Sequence, residues 1–279
     1  MGKFDGIIIV SDIDGTFLGK GSRMVPENIE AIEYFKKEGG AFTIATGREI
    51  MNIPSVVPNV GELCNIPVIA CNGACIWNAA TGEIVHEEFL PEPEISRMAD
   101  AARMLCPDIR MRISVRGEFW TERLGEMTKK TFYNMLDHFR IMPYDSMPHG
   151  RWYKLGWDGT EEQLGRLRKV LEESAGEGCL VQLGHQTIME VQSKKGTKGA
   201  MLNTLKRLTG RERSVLYAIG DYENDYGMLQ MADRRAMPKN GIDKLRSLPD
   251  MIEVCDHDEG AIAGLIGHIE EELRIGRRG

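Results

Sequence analysis

The feature that most constrains this chain is the run Ile7-Ile8-Ile9-Val10-Ser11, followed at once by Asp12-Ile13-Asp14-Gly15-Thr16. Four consecutive apolar residues read as a short strand buried on both faces, the pattern of a parallel sheet. The carboxyl ends of such strands are where open α/β sheets place their ligands. Asp12 and Asp14 stand at that end, one residue apart. Carboxylates this close repel each other when both are ionised, which calls for a cation, a shared proton or both.

Other segments, distant in sequence, repeat the arrangement. Phe42-Thr43-Ile44-Ala45 is a second apolar run, and it ends in Thr46-Gly47-Arg48. Val215–Ile219 is another, ending in Gly220-Asp221-Tyr222-Glu223-Asn224-Asp225. Lys198 lies just inside a helix expected to start near Thr197, with Met201, Leu202, Leu205 and Leu208 at helical spacing. In a parallel sheet the strand ends share one edge, so these groups can converge. Carboxylate oxygens suit magnesium, which takes one or two carboxylates plus substrate phosphate and water. A hydroxyl and an ammonium are natural holders of phosphate oxygens. Taken singly, Lys198 reads as a solvated lysine and Thr46 as a strand-end cap; only the combination turns them into a site.

The first and last thirds alternate strand and helix, which implies a parallel sheet with helices on both faces. Residues 26–38 are expected to be helical, with Ile29, Ile32 and Phe35 on one face, Pro26 at the start and Gly39-Gly40 at the end. Val68-Ile69-Ala70-Cys71 is a third strand, with Asn72-Gly73-Ala74 behind it, and Ile252-Glu253-Val254 an edge strand. Residues 261–273 carry Ile262, Leu265, Ile266, Ile269 and Leu273 on one helical stripe, and residues 274–279 read as a frayed end. Residues 86–193 have another texture. A helix is expected over Glu94–Leu105. Residues 109–115 alternate strictly between apolar and polar, as in a half-buried antiparallel strand, and residues 118–122 pair with them across Gly117. Tyr153, Leu155 and Trp157 alternate again. Thr160-Glu161-Glu162-Gln163 is a capping box opening a helix with Leu164, Leu167, Val170 and Leu171, and residues 180–183 and 187–192 form two last strands through a turn at Gly184-His185. The expected architecture is α/β: a parallel-sheet core from residues 1–85 and 194–279, interrupted by an α+β lobe over residues 86–193. There is no internal repeat.

Composition closes off other classes. A chain of 279 residues with 42% hydrophobic and 28% charged residues is expected to fold in two lobes. The formal net charge of -7 argues against a nucleic-acid partner held by bulk electrostatics, though not against a local phosphate pocket. No apolar stretch approaches the roughly 20 residues of a membrane span, and the N-terminus runs straight into the first strand, where no secretory signal fits. The expectation is a cytoplasmic protein without a membrane partner. Its six cysteines then read as reduced, mostly small buried hydrophobes rather than a zinc site, since their spacings match no common ligand pattern. The sequence carries no signal of oligomeric state.

Together these residues resemble the haloacid dehalogenase-like superfamily. Asp12-Ile13-Asp14-Gly15-Thr16 looks like its first motif, Thr46 in Ala45-Thr46-Gly47-Arg48 its second, Lys198 in Lys198-Gly199-Ala200-Met201-Leu202 its third, and Gly220-Asp221-Tyr222-Glu223-Asn224-Asp225 its fourth. The wording of the second and fourth, with Asn72-Gly73-Ala74, is similar to the Cof-type (class IIB) phosphatases, and the resemblance spans nearly the whole chain in order. It departs at Met237-Pro238-Lys239-Asn240-Gly241, where a small Gly-Asn-Ala turn is usual; Asn240 survives.

The resemblance implies a Rossmann-like core with residues 86–193 as a mobile cap, and a magnesium-dependent phosphatase acting on a small phosphorylated metabolite, foremost a sugar phosphate. Residue chemistry alone lets either aspartate be the nucleophile. The resemblance assigns Asp12 to that role, through an aspartyl-phosphate, and Asp14 to general acid and base. It implies Mg²⁺ held by Asp12, Asp221 and the Asp14 backbone carbonyl, with phosphoryl oxygens held by Thr46, Gly47 and Lys198. Asn224 and Asp225 would orient the ligands or Lys198, with direct ligation by Asp225 left open. Arg48 and Asn72 are candidates for the substrate entrance. Arg110 and Arg112 share one sheet face, either solvated or turned to the cleft. A phosphomutase using the same aspartyl-phosphate is an alternative, as is a non-catalytic binding protein on the same fold. Dehalogenase activity does not fit, because such relatives lack the second aspartate.

Overall fold

The structure, a computed structural model, describes residues 2–276. Five parallel strands form the core sheet in the order Met251–Val254, Arg234–Pro238, Val215–Ile219, Ile7–Ser11, Ala41–Ile44. The first strand is therefore interior, which is why it is apolar throughout. Its side chains alternate between two separate cores. Ile7 and Ile9 pack with Ile32, Phe35, Ile262, Leu265 and Ile269, from helices Pro26–Lys37 and Ala261–Gly276. Ile8 and Val10 pack with Met201, Leu202, Leu205, Met228 and Leu229, from helices Lys198–Leu208 and Tyr226–Met231. Leu208, expected on the same stripe, is 48% exposed at the last residue of the helix, whereas Leu205 one turn earlier is fully buried. The stretch expected to fray stays helical as far as Gly276, and its last three residues lie outside the described range.

The third strand, Val68–Ala70, is joined to the core sheet by an Ala45–Ile69 bridge and pairs antiparallel with Cys75–Asn78, which pairs in turn with Glu83–Glu87. A tight turn reverses the chain between them: Cys71, Asn72 and Gly73 have φ of 53°, 58° and 111°. Gly73 is needed twice over, since a Cβ there would lie 2.3 Å from the backbone carbon of Thr197. The turn thus backs directly onto the start of the helix that carries Lys198.

Residues 110–193 contribute a second sheet of six strands, in the order Phe139–Ile141, Glu118–Thr121, Arg110–Val115, Lys154–Asp158, Ile188–Ser193, Cys179–His185. The pairings are antiparallel except between the first two strands named. Ile113, Leu155, Trp157, Met189 and Val191 face helices Glu94–Leu105 and Glu161–Ser174. The capping box forms as expected, Thr160 accepting from the Gln163 backbone and Gln163 returning the bond. The opposite face carries Arg112, Ser114, Lys154, Glu190 and Gln192, and it is buried too. A polar sheet face is buried only when something polar lies against it; here that is the carboxyl edge of the core sheet. Phe139–Ile141 has no counterpart in the sequence reading; it is held by stacking of Phe139 on Phe119, ring centroids 4.7 Å apart. No helix among the described residues is long and apolar enough to cross a membrane.

Candidate active site

Asp12 continues the ladder of its strand. Its backbone N–H donates to the Ile219 carbonyl at 2.9 Å, so its position is fixed by the sheet. Asp221 lies two residues beyond Ile219 on the adjacent strand. Gly15, at φ 82°, lets the chain fold over it: a Cβ on Gly15 would lie 2.4 Å from Asp221 Oδ2. Thr16 Oγ1 donates to Asp221 Oδ1 at 2.8 Å. Lys198 opens its helix behind the Thr197 N-cap, whose hydroxyl accepts from Ala200 N at 3.0 Å. Its ammonium donates to Asp12 Oδ1 at 2.5 Å and Asp225 Oδ1 at 2.7 Å. Asp225 Oδ2 accepts from the backbone N–H groups of Asp221 and Tyr222 at 3.0 and 3.1 Å. Asp225 is thereby occupied in holding Lys198 and its own loop, and it serves as a brace.

The electrostatics of this cluster are unbalanced. Carboxylate oxygens of Asp12, Asp221 and Asp225 lie within 4.8 Å of one another. Burial raises the Asp12 carboxyl well above its ordinary range; Asp225, Asp221 and Asp14 add to the rise and Lys198 opposes it. Burial, then Asp225, pushes Asp221 up to about 7. Burial alone would lower the Lys198 ammonium, but Asp12 and Asp225 outweigh it and drive the group upward. Three carboxylates against one ammonium leave a buried deficit of positive charge, with hard oxygen donors around it. The donor set fits a magnesium-type cation. The second acidic group among the described residues, Asp256, His257 and Asp258, is half-exposed and linked to this edge through Asn240, and neither group includes a cysteine. All six cysteines are free thiols, five of them buried.

Asp14 differs from Asp12 in every respect. Its side chain is 52% exposed, and both its oxygens are held by Arg48, through Nε and Nη2 at 2.7 Å each. Thr46 is buried and its hydroxyl accepts from the Arg48 backbone at 3.1 Å, which leaves its own O–H as a donor. A cleft of about 620 Å³ opens between these groups and Arg112, Lys154 and Glu190 of the second sheet. That volume lies in the small-molecule range.

Two expected lining residues lie elsewhere. Asn72 is fully buried behind the cleft, donating to Glu190 Oε2 at 2.6 Å and accepting from Asn224 at 3.1 Å. The left-handed turn that begins at Cys71 carries its side chain inward. Arg110 stands one pleat before Arg112, past the edge where the two sheets meet, and donates to the Pro107 carbonyl at 2.6 Å. Of the two readings of that face, the one turned to the cleft holds for Arg112, which lines it, whereas Arg110 is half-buried outside it. Sequence reasoning missed Glu49, Ser114 and Glu190. The signal was present for Glu190 and Gln192, polar residues alternating with Met189 and Val191, but alternation alone does not tell solvent from a buried cleft. Asn240 keeps a role despite its altered neighbours: it donates to the Gly15 carbonyl at 2.8 Å and accepts from His257 N at 3.0 Å.

Residues 9–266 match the sequence profile of the haloacid dehalogenase-like hydrolases. A 5-amino-6-(5-phospho-D-ribitylamino)uracil phosphatase, YwtE of Bacillus subtilis, is 26% identical over 288 residues, covering 94% of this chain and 97% of its own. An HMP-PP phosphatase of Klebsiella pneumoniae is 25% identical, covering 92% and 93%. The solved structure of BT4131, described as a HAD subclass IIB sugar phosphatase, superposes with a TM-score of 0.78 at 21% identity, covering 94% of this chain and 98% of that one. The chain belongs to the haloacid dehalogenase-like hydrolases, in their Cof-type branch. The enzyme class that goes with that membership is phosphoric monoester hydrolase.

Proposed function

We propose that the protein is a magnesium-dependent phosphatase that hydrolyses a small phosphorylated metabolite, foremost a sugar phosphate, through an aspartyl-phosphate on Asp12. The observation that carries this reading is the convergence of Asp12, Asp221, Asp225 and Lys198 on one sheet edge, with a deficit of positive charge. The relatives named as phosphatases of small phosphorylated compounds support it. In this reading Asp12, Asp221 and the Asp14 backbone carbonyl hold Mg²⁺, which when bound neutralises carboxylate and phosphoryl charge and polarises the transferring group.

The residues divide the remaining work. An Asp12 oxygen attacks phosphorus as the ester P–O bond breaks. Asp14, protonated, gives its proton to the departing oxygen; its carboxylate then takes a proton from water as that water attacks the aspartyl-phosphate, releasing inorganic phosphate and free Asp12. Thr46 O–H, the Gly47 amide and Lys198 hold the phosphoryl oxygens, with Lys198 at a helix N-terminus where anions are favoured. Arg48 leaves Asp14 for the substrate when the acid is needed. Residues 86–193 act as a cap over the core, residues 1–85 and 194–279, and supply the contacts to the leaving group.

Purified protein assayed for phosphate release against a panel of phosphorylated metabolites tests the proposal. Activity should vanish in excess chelator and return with Mg²⁺. Full activity in chelator, or transfer of the phosphate within the substrate instead of its release, would contradict it.

A further inference from the structure

Lys154 belongs to the second sheet, yet its ammonium reaches the core. It is 3% exposed and has three N–H donors and three partners. It donates to the Gly47 carbonyl at 2.6 Å and pairs with Glu190 Oε1 at 2.7 Å and Glu49 Oε1 at 3.1 Å. Gly47 sits between Thr46 and Arg48, in the loop assigned above to phosphate. Glu49, on the core, also accepts from Ser114 of the cap at 2.8 Å. Glu190, the cap partner of Lys154, accepts from Asn72 of the core with its other oxygen, and Asn72 accepts from Asn224, in the loop that carries Asp221. The same loop is met once more from the cap, where Arg168 pairs with Glu223 at 3.2 Å. A continuous set of hydrogen bonds therefore runs from one cap pair to both core loops that build the phosphate site.

We propose that the Lys154–Glu190 pair is a latch that orders the loops at residues 46–49 and 221–225 when the cap closes, so that cap closure and assembly of the phosphate site are one event.

Apart from the core, Lys154 and Glu190 remain a neutral pair on the cap. Closure places the ammonium against Glu49 and the Gly47 carbonyl, and a buried carboxylate without that partner would be strongly disfavoured. Burial alone would lower the Lys154 ammonium, but Glu190 and Glu49 more than offset it, so the cation is well kept. The bond to a backbone carbonyl fixes the orientation of the peptide that follows Gly47, which no contact to a substrate hydroxyl would do. Lys154 is thus a positioning residue, and its effect does not depend on what the leaving group is.

The proposal rests on reading residues 46–48 as the phosphate loop, but its first test does not. Amide hydrogen exchange is compared in the ligand-free protein, wild type against Lys154→Met, with Glu190→Gln as a milder variant that keeps an acceptor for Asn72. The latch predicts exchange at residues 46–49 and 221–225 faster by roughly tenfold or more, with helices Glu161–Ser174 and Ala261–Gly276 unchanged. In turnover, kcat/KM for p-nitrophenyl phosphate, which is too small to engage the cap wall, should fall by roughly 10- to 100-fold in Lys154→Met, the range of a charge-assisted hydrogen bond. Unchanged exchange, with a loss confined to larger substrates, would make Lys154 a substrate contact and overturn the latch. Faster exchange throughout both variants would overturn it as well, as a general folding defect. Should the protein hydrolyse no ester at all, the phosphatase reading fails while the exchange result still decides the latch.

Discussion

Asp12 and Asp14, with one residue between them, sit in opposite surroundings. Asp12 is buried, tied to an ammonium and pushed upward in pKa by burial; Asp14 is half in solvent and held bidentately by Arg48. Burial by itself favours a protonated Asp12, the wrong state for a nucleophile; Lys198 opposes that rise, and a bound cation would oppose it further. The upward shifts at Asp12 and Asp221 also have a sign in stability. A carboxyl whose folded pKa is raised binds more protons folded than unfolded, so its contribution is present below the ordinary carboxylate range and lost as pH rises through the folded value, about 7 for Asp221. Metal-free protein should therefore melt at lower temperature at about pH 8 than at about pH 5, and added Mg²⁺ should raise the melting temperature more at the higher pH. Asp221→Asn should flatten the pH dependence and remove much of the Mg²⁺ effect. Calorimetry in chelator and in Mg²⁺ measures both; equal Mg²⁺ stabilisation at the two pH values would contradict the ionisation scheme.

Elements place these residues through backbone contacts that side-chain patterns do not announce. The turn at Cys71–Gly73 supports the N-terminus of the Lys198 helix, and Gly73→Ala would force a Cβ into the Thr197 backbone. That variant should lose both stability and most of its kcat, because the start of the Lys198 helix must shift. Thr160→Ala removes the cap of a helix on the far side of the second sheet and should cost about 0.5–2 kcal/mol with turnover unchanged. Denaturant unfolding and kcat measured together on the two variants separate the effects; intact turnover in Gly73→Ala would mean that the turn does not set Lys198. The strands and helices of the core were legible because burial on both faces leaves uninterrupted apolar runs, and helices such as Glu161–Ser174 announce themselves through caps and stripes. The motif residues were legible because they follow strand ends. The reversal after Val68–Ala70 was not: Asn72-Gly73 marks a turn, but the reversal starts one residue earlier, at Cys71, which adopts positive φ without being a glycine. Nor was the buried polar face of the second sheet: Ser114, Lys154 and Glu190 alternate as a solvated face would, and only the meeting of two distant segments covers them.

At the scale of the whole molecule, the proposed chemistry belongs to the core sheet edge, and Arg112, Lys154 and Glu190 of the second sheet line the other side of the cleft. Arg112 shows how the closing wall is prepared for a ligand. Its guanidinium is fixed by Asp158 at 2.7 Å and lies 4.5 Å from the Phe132 ring centre, above Gly156, where a Cβ would meet it at 2.6 Å. Yet its buried Nε has no hydrogen-bond partner among the described residues. A buried donor left unpaired is costly, and a substrate oxygen would satisfy it. Arg112→Lys keeps the charge opposite Asp158 and loses the fork. It should lower kcat/KM for the preferred metabolite by roughly 10- to 100-fold, the equivalent of about 1.5–3 kcal/mol, and leave p-nitrophenyl phosphate unaffected. Arg110→Ala should change neither. Equal losses on both substrates would place Arg112 in the folding of the cap instead of in recognition. All of this presupposes the covalent step at the sheet edge, and one measurement addresses that step directly. Enzyme turning over p-nitrophenyl phosphate in Mg²⁺ is quenched in acid, digested and analysed by mass spectrometry. The account predicts a phosphoryl group on the peptide carrying Asp12, absent from Asp12→Asn, which should be folded and inactive. Turnover that persists in a folded Asp12→Asn variant would contradict it.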